Sequence, residues 1–149
     1  MTIRDANEND LSQLLDIYND IILNSTAVYQ YEVHTLQMRK EWFVAKRQQG
    51  FPVFVAEDND RITGFSTIGS FRQWQAYKYS VENSVYVASD QRGKGIGKLL
   101  FDRLIEEARE KKFNRIIWQV LDWNEPAINF YKKYDAEFDD SWINCSIYV

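Results

Sequence analysis

The sequence predicts an α/β (α+β) fold, a mixed β-sheet with helices on both faces, and three observations predict it. Runs rich in β-branched and aromatic residues alternate along the 149 residues with segments whose apolar residues have helical spacing. Their order, β-α-α-β-β-β-α-β-α-β-β, is typical of helices layered on a sheet. A glycine-rich run at residues 92–97 joins a strand to a helix. We therefore expect about seven strands and about four helices.

Strands are predicted where β-branched and aromatic residues cluster between turn signals. The polar cluster at residues 58–60 marks a tight turn, so the runs on either side of it should form a hairpin. The predicted strands cover residues 2–4, 52–57, 61–69, 84–88, 114–121, 137–138 and 142–149.

Helices are predicted from capping residues and from apolar periodicity. Asn7 or Asn9 can cap the first helix, Thr35 begins the second, and Gly50 ends it. The third helix follows the glycine-rich run, and Asn124 caps the fourth. The apolar face of the third helix contains Ile96, Leu99, Leu100, Leu104, Ile105 and Ala108.

Composition narrows the class of protein. A chain of 149 residues is long enough for one domain with its own core, so residues 1–149 are expected to form a single domain. The net charge is −4 with both signs interspersed, and the absence of a basic stripe argues against a nucleic-acid partner. The N-terminus has no apolar leader and no run reaches membrane-spanning length. We expect a cytoplasmic protein with no membrane partner.

Cysteine and histidine are almost absent. The single cysteine, Cys145, excludes an internal disulfide, and together with one histidine it leaves no plausible zinc cluster. No metal is expected.

The run Arg92-Gly93-Lys94-Gly95-Ile96-Gly97 is the strongest chemical signal. A glycine-rich turn that opens a helix presents backbone N–H groups and the positive end of the helix dipole, which together suit phosphate. The spacing does not fit a P-loop, because Leu99 stands where Ser or Thr is required. It does not fit the dinucleotide fingerprint either, because the last glycine would fall on Lys98 or Leu100.

The spacing that does fit, R-x-x-G-x-G, resembles the pyrophosphate motif of the GNAT acetyltransferases, and the element order resembles that fold over nearly the whole chain. Residues 71–77 and 81–87 are similar to the phosphinothricin and methionine-sulfoximine N-acetyltransferase branch. Residues 122–131 are more similar to the diamine acetyltransferases. The resemblance implies acetyl-CoA as cosubstrate, bound in a cleft between two splayed strands. It also implies a homodimer.

The resemblance extends to individual residues. The loop and the helix after it would hold the CoA phosphates, and the strand before the loop would pair its backbone with pantetheine. The implied cofactor-binding residues are Val85, Tyr86, Val87, Arg92, Gly93, Lys94, Gly95, Ile96, Gly97, Lys98, Asn124 and Tyr131.

Acetyl transfer to an amine requires a base, and Glu82 is the candidate because it lies at the start of the strand that leads to the glycine-rich run. Counting by twos places Glu82, Ser84 and Tyr86 on one face. We expect a partly desolvated carboxylate there, which would be a stronger base. The alternative is a strand-edge glutamate that faces solvent.

Tyr131 is implied as the acid that serves the leaving thiolate, with a half-buried packing tyrosine as the alternative. Arg72, Trp74 and Tyr77 are candidates for the acceptor pocket beside Glu82, and an arginine there can pair with a carboxylate in two bonds. Packing of an ordinary aromatic loop would explain the same residues.

We therefore expect acetylation of the primary amine of a small molecule, of the amino-acid or analogue type. Polyamine or protein-amine acetylation and a non-catalytic CoA-binding regulatory module remain alternatives. The uncharged, apolar end at residues 142–149 favours a homodimer, because such a strand is unsafe as an exposed edge.

Overall fold

The computed structural model describes residues 1–26, 28, 30–139, 141 and 145–148. Within them the chain forms two compact units, Met1–Ile117 and Trp118–Val149. The first unit contains one five-stranded sheet in the order β1-β2-β3-β4-β5. The pairs are antiparallel except for the parallel pair β4–β5, so the predicted mixed sheet is confirmed. The strands are β1 (Thr2–Asp5), β2 (Val53–Asp58), β3 (Arg61–Ser70), β4 (Ser80–Val87) and β5 (Arg115–Ile117).

The described residues contain four α-helices, as expected. Thr35 caps the second helix by accepting the Met38 N–H at 3.2 Å, and Gly50 follows that helix with a φ of +74°. Asn7 caps a short 3-10 turn in front of the first helix rather than the helix itself. The helices are α1 (Leu11–Asn24), α2 (Leu36–Gln48), α3 (Ile96–Glu110) and α4 (Glu125–Lys132), the last in the second unit.

Two apolar clusters cover the two faces of the sheet. One joins α1 and α2 to side chains such as Val55 and Phe65. The other packs α3 against Phe54, Ile68 and Val81. Neighbouring strand residues thus point to opposite clusters, and this alternation places every other β4 side chain on the α2 side.

The structure has five strands in its described part where we expected about seven. Glu137 and Phe138 are not in a strand, because two residues after a turn with Asp135 at φ +53° form no ladder on their own. In the expected strand 142–149, residues 142–144 and 149 lie outside the described residues, and residues 145–148 are not in a strand. The expected strand 114–121 is reduced to β5, which has only three residues.

Candidate active site

The glycine-rich segment forms an open turn in front of α3. Gly93 and Gly95 have φ angles of +77° and +81°, which residues with a Cβ rarely adopt. Gly95 is the N-cap of α3, and no side chain caps the helix there. A Cβ at either glycine would meet no atom within 4 Å. The turn therefore leaves room for an anion at the positive end of the helix dipole.

Basic side chains surround this turn. Arg92, Lys94 and Lys98 are exposed, whereas Ile96 is buried in the core and fixes the start of α3. Lys94 Nζ donates to Gln91 Oε1 at 2.9 Å. The exposed cations add positive charge to a site that the backbone amides already favour for phosphate.

The two sides of β4 are paired over different lengths. On one side residues 81–87 pair with β3. On the other side the ladder to β5 ends at the pair Glu82–Ile117, so within the first unit the edge at Val85, Tyr86 and Val87 has no strand beside it. An extended ligand that carries amide groups can add to such an edge as a further strand.

A cleft of about 430 Å³ lies on the α2 side of the sheet, at the end of β3 and the start of β4. Among its described lining residues Glu82 is the one carboxylate, whereas Lys46 and Arg72 are cations. The lining consists of Lys46, Gln49, Gly69, Ser70, Phe71, Arg72, Gln73, Glu82 and Ser84.

Glu82 lies on the expected face of β4. Tyr86 packs toward α1 and α2, whereas Val85 and Val87 pack toward α3, so the predicted alternation is confirmed. The expected desolvation of Glu82 is wrong, because this side chain is exposed. The reason is its position at the end of the β4–β5 ladder, where the cleft opens and apolar neighbours do not cover the carboxylate.

Lys46 is a cleft residue that we did not predict. Its Nζ donates to the carbonyl oxygen of Ile68 at 2.8 Å and lies 5.4 Å from the Phe51 ring centroid. Burial lowers the pKa of Lys46, and the negative charge of Glu82 opposes that shift. Helical spacing in the sequence could have indicated Lys46 as a site residue. It follows the buried Phe43 by three residues, and a lysine on a buried helix face is unusual.

The acetyltransferase (GNAT) family model matches residues 12–135, which is most of the chain. This chain belongs to the GNAT acetyltransferase family. It is 36% identical over 137 residues to an L-methionine sulfoximine/L-methionine sulfone acetyltransferase of Pseudomonas paraeruginosa, with 91% of this chain and 80% of that protein covered.

Solved acetyltransferases share its fold. An N-acetyltransferase from Staphylococcus aureus Mu50 has 43% identity and a TM-score of 0.87, over 90% of this chain and 81% of that one. A GNAT phosphinothricin acetyltransferase from Sinorhizobium meliloti, solved with acetyl-CoA, has 29% identity and a TM-score of 0.84, over 89% and 72%. The cosubstrate of the present chain, as a GNAT acetyltransferase, is acetyl-CoA.

The chain's own residues fit that cosubstrate. The open turn at Gly93 and Gly95 suits the phosphates, and the unpaired β4 edge suits the amides of pantetheine. Asn83 is the first β4 residue beyond the ladder, and its buried side-chain oxygen has no hydrogen-bond partner within the described chain. A pantetheine N–H would satisfy that acceptor. The described residues contain no cluster of metal-binding side chains.

The loop after β3 holds the predicted acceptor-pocket residues of this acetyltransferase. The Arg72 guanidinium lies 5.2 Å from the Phe71 ring centroid and 5.5 Å from that of Trp74. Trp74 and Tyr77 have ring centroids 6.1 Å apart, and Trp74 is 65% exposed. Arg72 lines the cleft with Glu82, whereas Trp74 and Tyr77 do not line it.

Arg39 is a second residue that sequence reasoning missed. Its side chain is buried, with the guanidinium carbon 4.1 Å from the Tyr18 ring centroid and 4.6 Å from that of Trp42. Burial lowers its pKa, whereas Tyr18 and Tyr86 counteract the shift. Burial also raises the pKa of the Tyr86 hydroxyl, which bonds with Ser84. This cluster fixes α2, and therefore the base of Lys46, against the sheet.

Tyr131 and Asn124 belong to the second unit. Asn124 caps α4, because its Oδ1 accepts the Ala127 N–H at 3.3 Å. Tyr131 is half-buried, and its ring centroid lies 4.6 Å from that of Trp118. The helix and its cap are confirmed, whereas the roles of both residues toward acetyl-CoA stay predictions.

None of the helices among the described residues is both long and apolar enough to cross a lipid bilayer.

Proposed function

We propose that this enzyme acetylates the α-amine of an amino acid or a close analogue, of the methionine sulfoximine, methionine sulfone or phosphinothricin type. The observation that carries the proposal is the pairing of charges in one cleft. Glu82 and Arg72 both line it, so an acceptor can place its amine at the carboxylate and its own carboxylate at the guanidinium. The names of the related acetyltransferases support the same substrate class.

The mechanism follows from these positions. Acetyl-CoA supplies an activated acetyl group when it is bound. Glu82 accepts the proton that the acceptor ammonium must lose, and because the carboxylate is exposed it can return that proton to water. The open β4 edge at Val85, Tyr86 and Val87 orients the cosubstrate through the N–H groups of Val85 and Val87, which point away from β3. One of these two groups stabilises negative charge on the acetyl oxygen. The Tyr131 hydroxyl donates a proton to the leaving thiolate.

The proposal also covers the domain organisation, the cellular location and the oligomeric state of the protein. We infer that residues 1–149 act as a single acetyltransferase domain in the cytoplasm, because the family match spans both compact units. We also infer a homodimer that uses the C-terminal segment, on the ground of its uncharged, apolar sequence. Sedimentation equilibrium at micromolar concentration tests the dimer, and a clean monomer contradicts it.

A panel of acceptors tests the activity. With acetyl-CoA as donor and free-thiol release as readout, L-methionine sulfone and phosphinothricin should be acetylated in preference to spermidine or a peptide N-terminus. The cleft offers a polyamine one carboxylate and two cations, which disfavours that acceptor. Preference for the polyamine contradicts the proposed substrate class, and no thiol release with any amine favours a non-catalytic CoA-binding module.

Glu82→Gln tests the base. The substitution should lower kcat by roughly 10²–10⁴-fold while acetyl-CoA affinity stays near that of the wild type. Glu110→Gln on the exposed end of α3 is the matched control. Full activity of Glu82→Gln at neutral pH would place the base elsewhere.

A further inference from the structure

Gly69 and Lys46 together form a notch beside Glu82. A Cβ built on Gly69 would lie only 2.7 Å from Lys46 Nζ, so the ammonium occupies the space that any larger residue at position 69 would fill. Gly69 pairs directly with Glu82 across the β3–β4 ladder. Because such cross-strand neighbours share one face at a Cβ separation of about 4.5–5.5 Å, the ammonium and the carboxylate stand side by side on the cleft wall.

The notch leaves hydrogen-bonding capacity on both groups. An ammonium has three donors, and the Lys46 hydrogen bond to Ile68 uses one of them. Among the described residues, neither Lys46 nor Arg72 forms an ion pair with a carboxylate, and Glu82 forms no ion pair with a cation. The positive and negative groups therefore line one cleft without neutralising each other directly.

We propose that Lys46 binds the carboxylate of the acceptor and thereby selects α-amino acids over simple amines, with Gly69 as the residue that makes room for it. This inference rests on the proposed function. The amine and the carboxylate of an α-amino acid are attached to the same carbon, so a site that receives both needs an anion and a cation next to each other. Glu82 and Lys46 supply that arrangement, and Arg72 reaches the same carboxylate from the loop.

The two cations differ in how firmly they are placed. Lys46 projects from α2, is partly buried, and is tied to the sheet through the Ile68 carbonyl. Arg72 is exposed on the loop after β3. Lys46 therefore fixes the distance between the acceptor's carboxylate and Glu82, whereas Arg72 adds attraction without fixing the register.

The test compares L-methionine sulfone with its decarboxylated counterpart, 3-(methylsulfonyl)propylamine. In Lys46→Met, kcat/KM for the amino acid should fall about 10- to 100-fold, whereas kcat/KM for the amine should change little, because a charge-assisted hydrogen bond is lost only with the amino acid. Lys46→Arg should keep part of the preference. Lys40→Met, an exposed lysine on the same helix, is the matched control and should change neither value.

Gly69→Ala gives an independent test that leaves Lys46 in the chain. Its Cβ would meet only the flexible end of the lysine, so the ammonium moves away while the fold is retained. The variant should lose the preference for the amino acid as Lys46→Met does, with unchanged acetyl-CoA affinity by calorimetry.

The outcomes separate the two levels of proposal. If the wild type acetylates neither acceptor, the proposed function fails, and this inference fails with it. If the wild type prefers the amino acid, and both variants either keep that preference or lose activity equally on the two acceptors, the inference alone is overturned.

Discussion

The carbonyl oxygen of Tyr86 lies 2.8 Å from the position that a Cβ on Gly64 would occupy. Leu100 and Ile96 of α3 approach the same position, at 3.0 and 3.3 Å. Gly64 therefore allows α3 to pack closely on the sheet where β3 pairs with β4. Unlike the lysine end that faces Gly69, a ladder carbonyl cannot move aside alone.

Gly64→Ala should destabilise the protein by about 1–3 kcal/mol, because the added methyl group overpacks a backbone contact. Urea unfolding measures the change. Gly97→Ala is the control, since its Cβ would meet only Val87 Cγ2 at an ordinary 3.8 Å. Equal stability of the two variants would contradict the close packing at Gly64.

Asp10 should make stability depend on acid pH. Its buried carboxylate accepts two hydrogen bonds from Arg4, at 2.7 and 2.8 Å, and one from the Asn7 N–H at 2.8 Å. The hydrogen bonds from Arg4 are the main cause of a pKa of Asp10 below the ordinary range of an aspartic acid. Because the pKa is lower in the folded state, this stabilisation is complete above the unfolded pKa and is lost as the pH falls through the folded one.

Asp10→Asn should therefore cost about 1–3 kcal/mol at pH 7 and flatten the loss of stability below pH 4. Urea unfolding of both proteins at pH 7 and pH 3 measures the effect. Parallel losses in the variant and the wild type would show that Asp10 does not carry this pH dependence.

Gly95→Val should weaken CoA binding at least 10-fold, because a β-branched residue neither adopts the φ of +81° nor leaves the turn open to phosphate. Gly50→Val is a matched control, since Gly50 has a φ of +74° and equally open surroundings but lies after α2. Both variants should lose similar stability, and only the first should lose CoA affinity by calorimetry. Equal CoA affinity of Gly95→Val and Gly50→Val would show that the turn at Gly95 does not bind CoA.

Tyr131→Phe should slow the chemical step roughly 10²-fold with little change in acetyl-CoA binding, because it removes only the hydroxyl. Tyr134→Phe in the same unit is the control, since its ring lies 5.3 Å from that of Phe130 and carries no proposed role. Single-turnover kinetics separate chemistry from product release. A chemical step as fast in Tyr131→Phe as in the wild type would show that Tyr131 does not protonate the leaving thiolate.

Local signals in the sequence predicted much of this fold. Thr35, Gly50 and the turn at residues 58–60 act where capping and turn chemistry place them, and Asn59 and Asp60 have the positive φ angles of a tight hairpin turn. The turn at Gly93 and Gly95 was predicted from glycine spacing, and both residues have the positive φ angles that such a turn requires. Each of these features depends on a few adjacent residues.

The errors concern contacts between distant residues. Lys46 joins the site only because α2 lies over Gly69, which is 23 positions away in the sequence. The exposure of Glu82 depends on where β5 stops pairing, and the last pair joins Glu82 to Ile117, which is 35 positions further along the chain. The missing strand at residues 137–138 had suitable composition but no partner among the described strands.

The short β4–β5 ladder also bears on how the protein behaves when its cosubstrate is scarce. An unpaired strand edge offers the same backbone groups to any extended chain, including that of another molecule. Acetyl-CoA bound along Val85–Val87 would occupy those groups and also favour the folded state by mass action. Within the first unit, purification or storage without CoA would then leave this edge unpaired, and we expect more aggregation as CoA is removed.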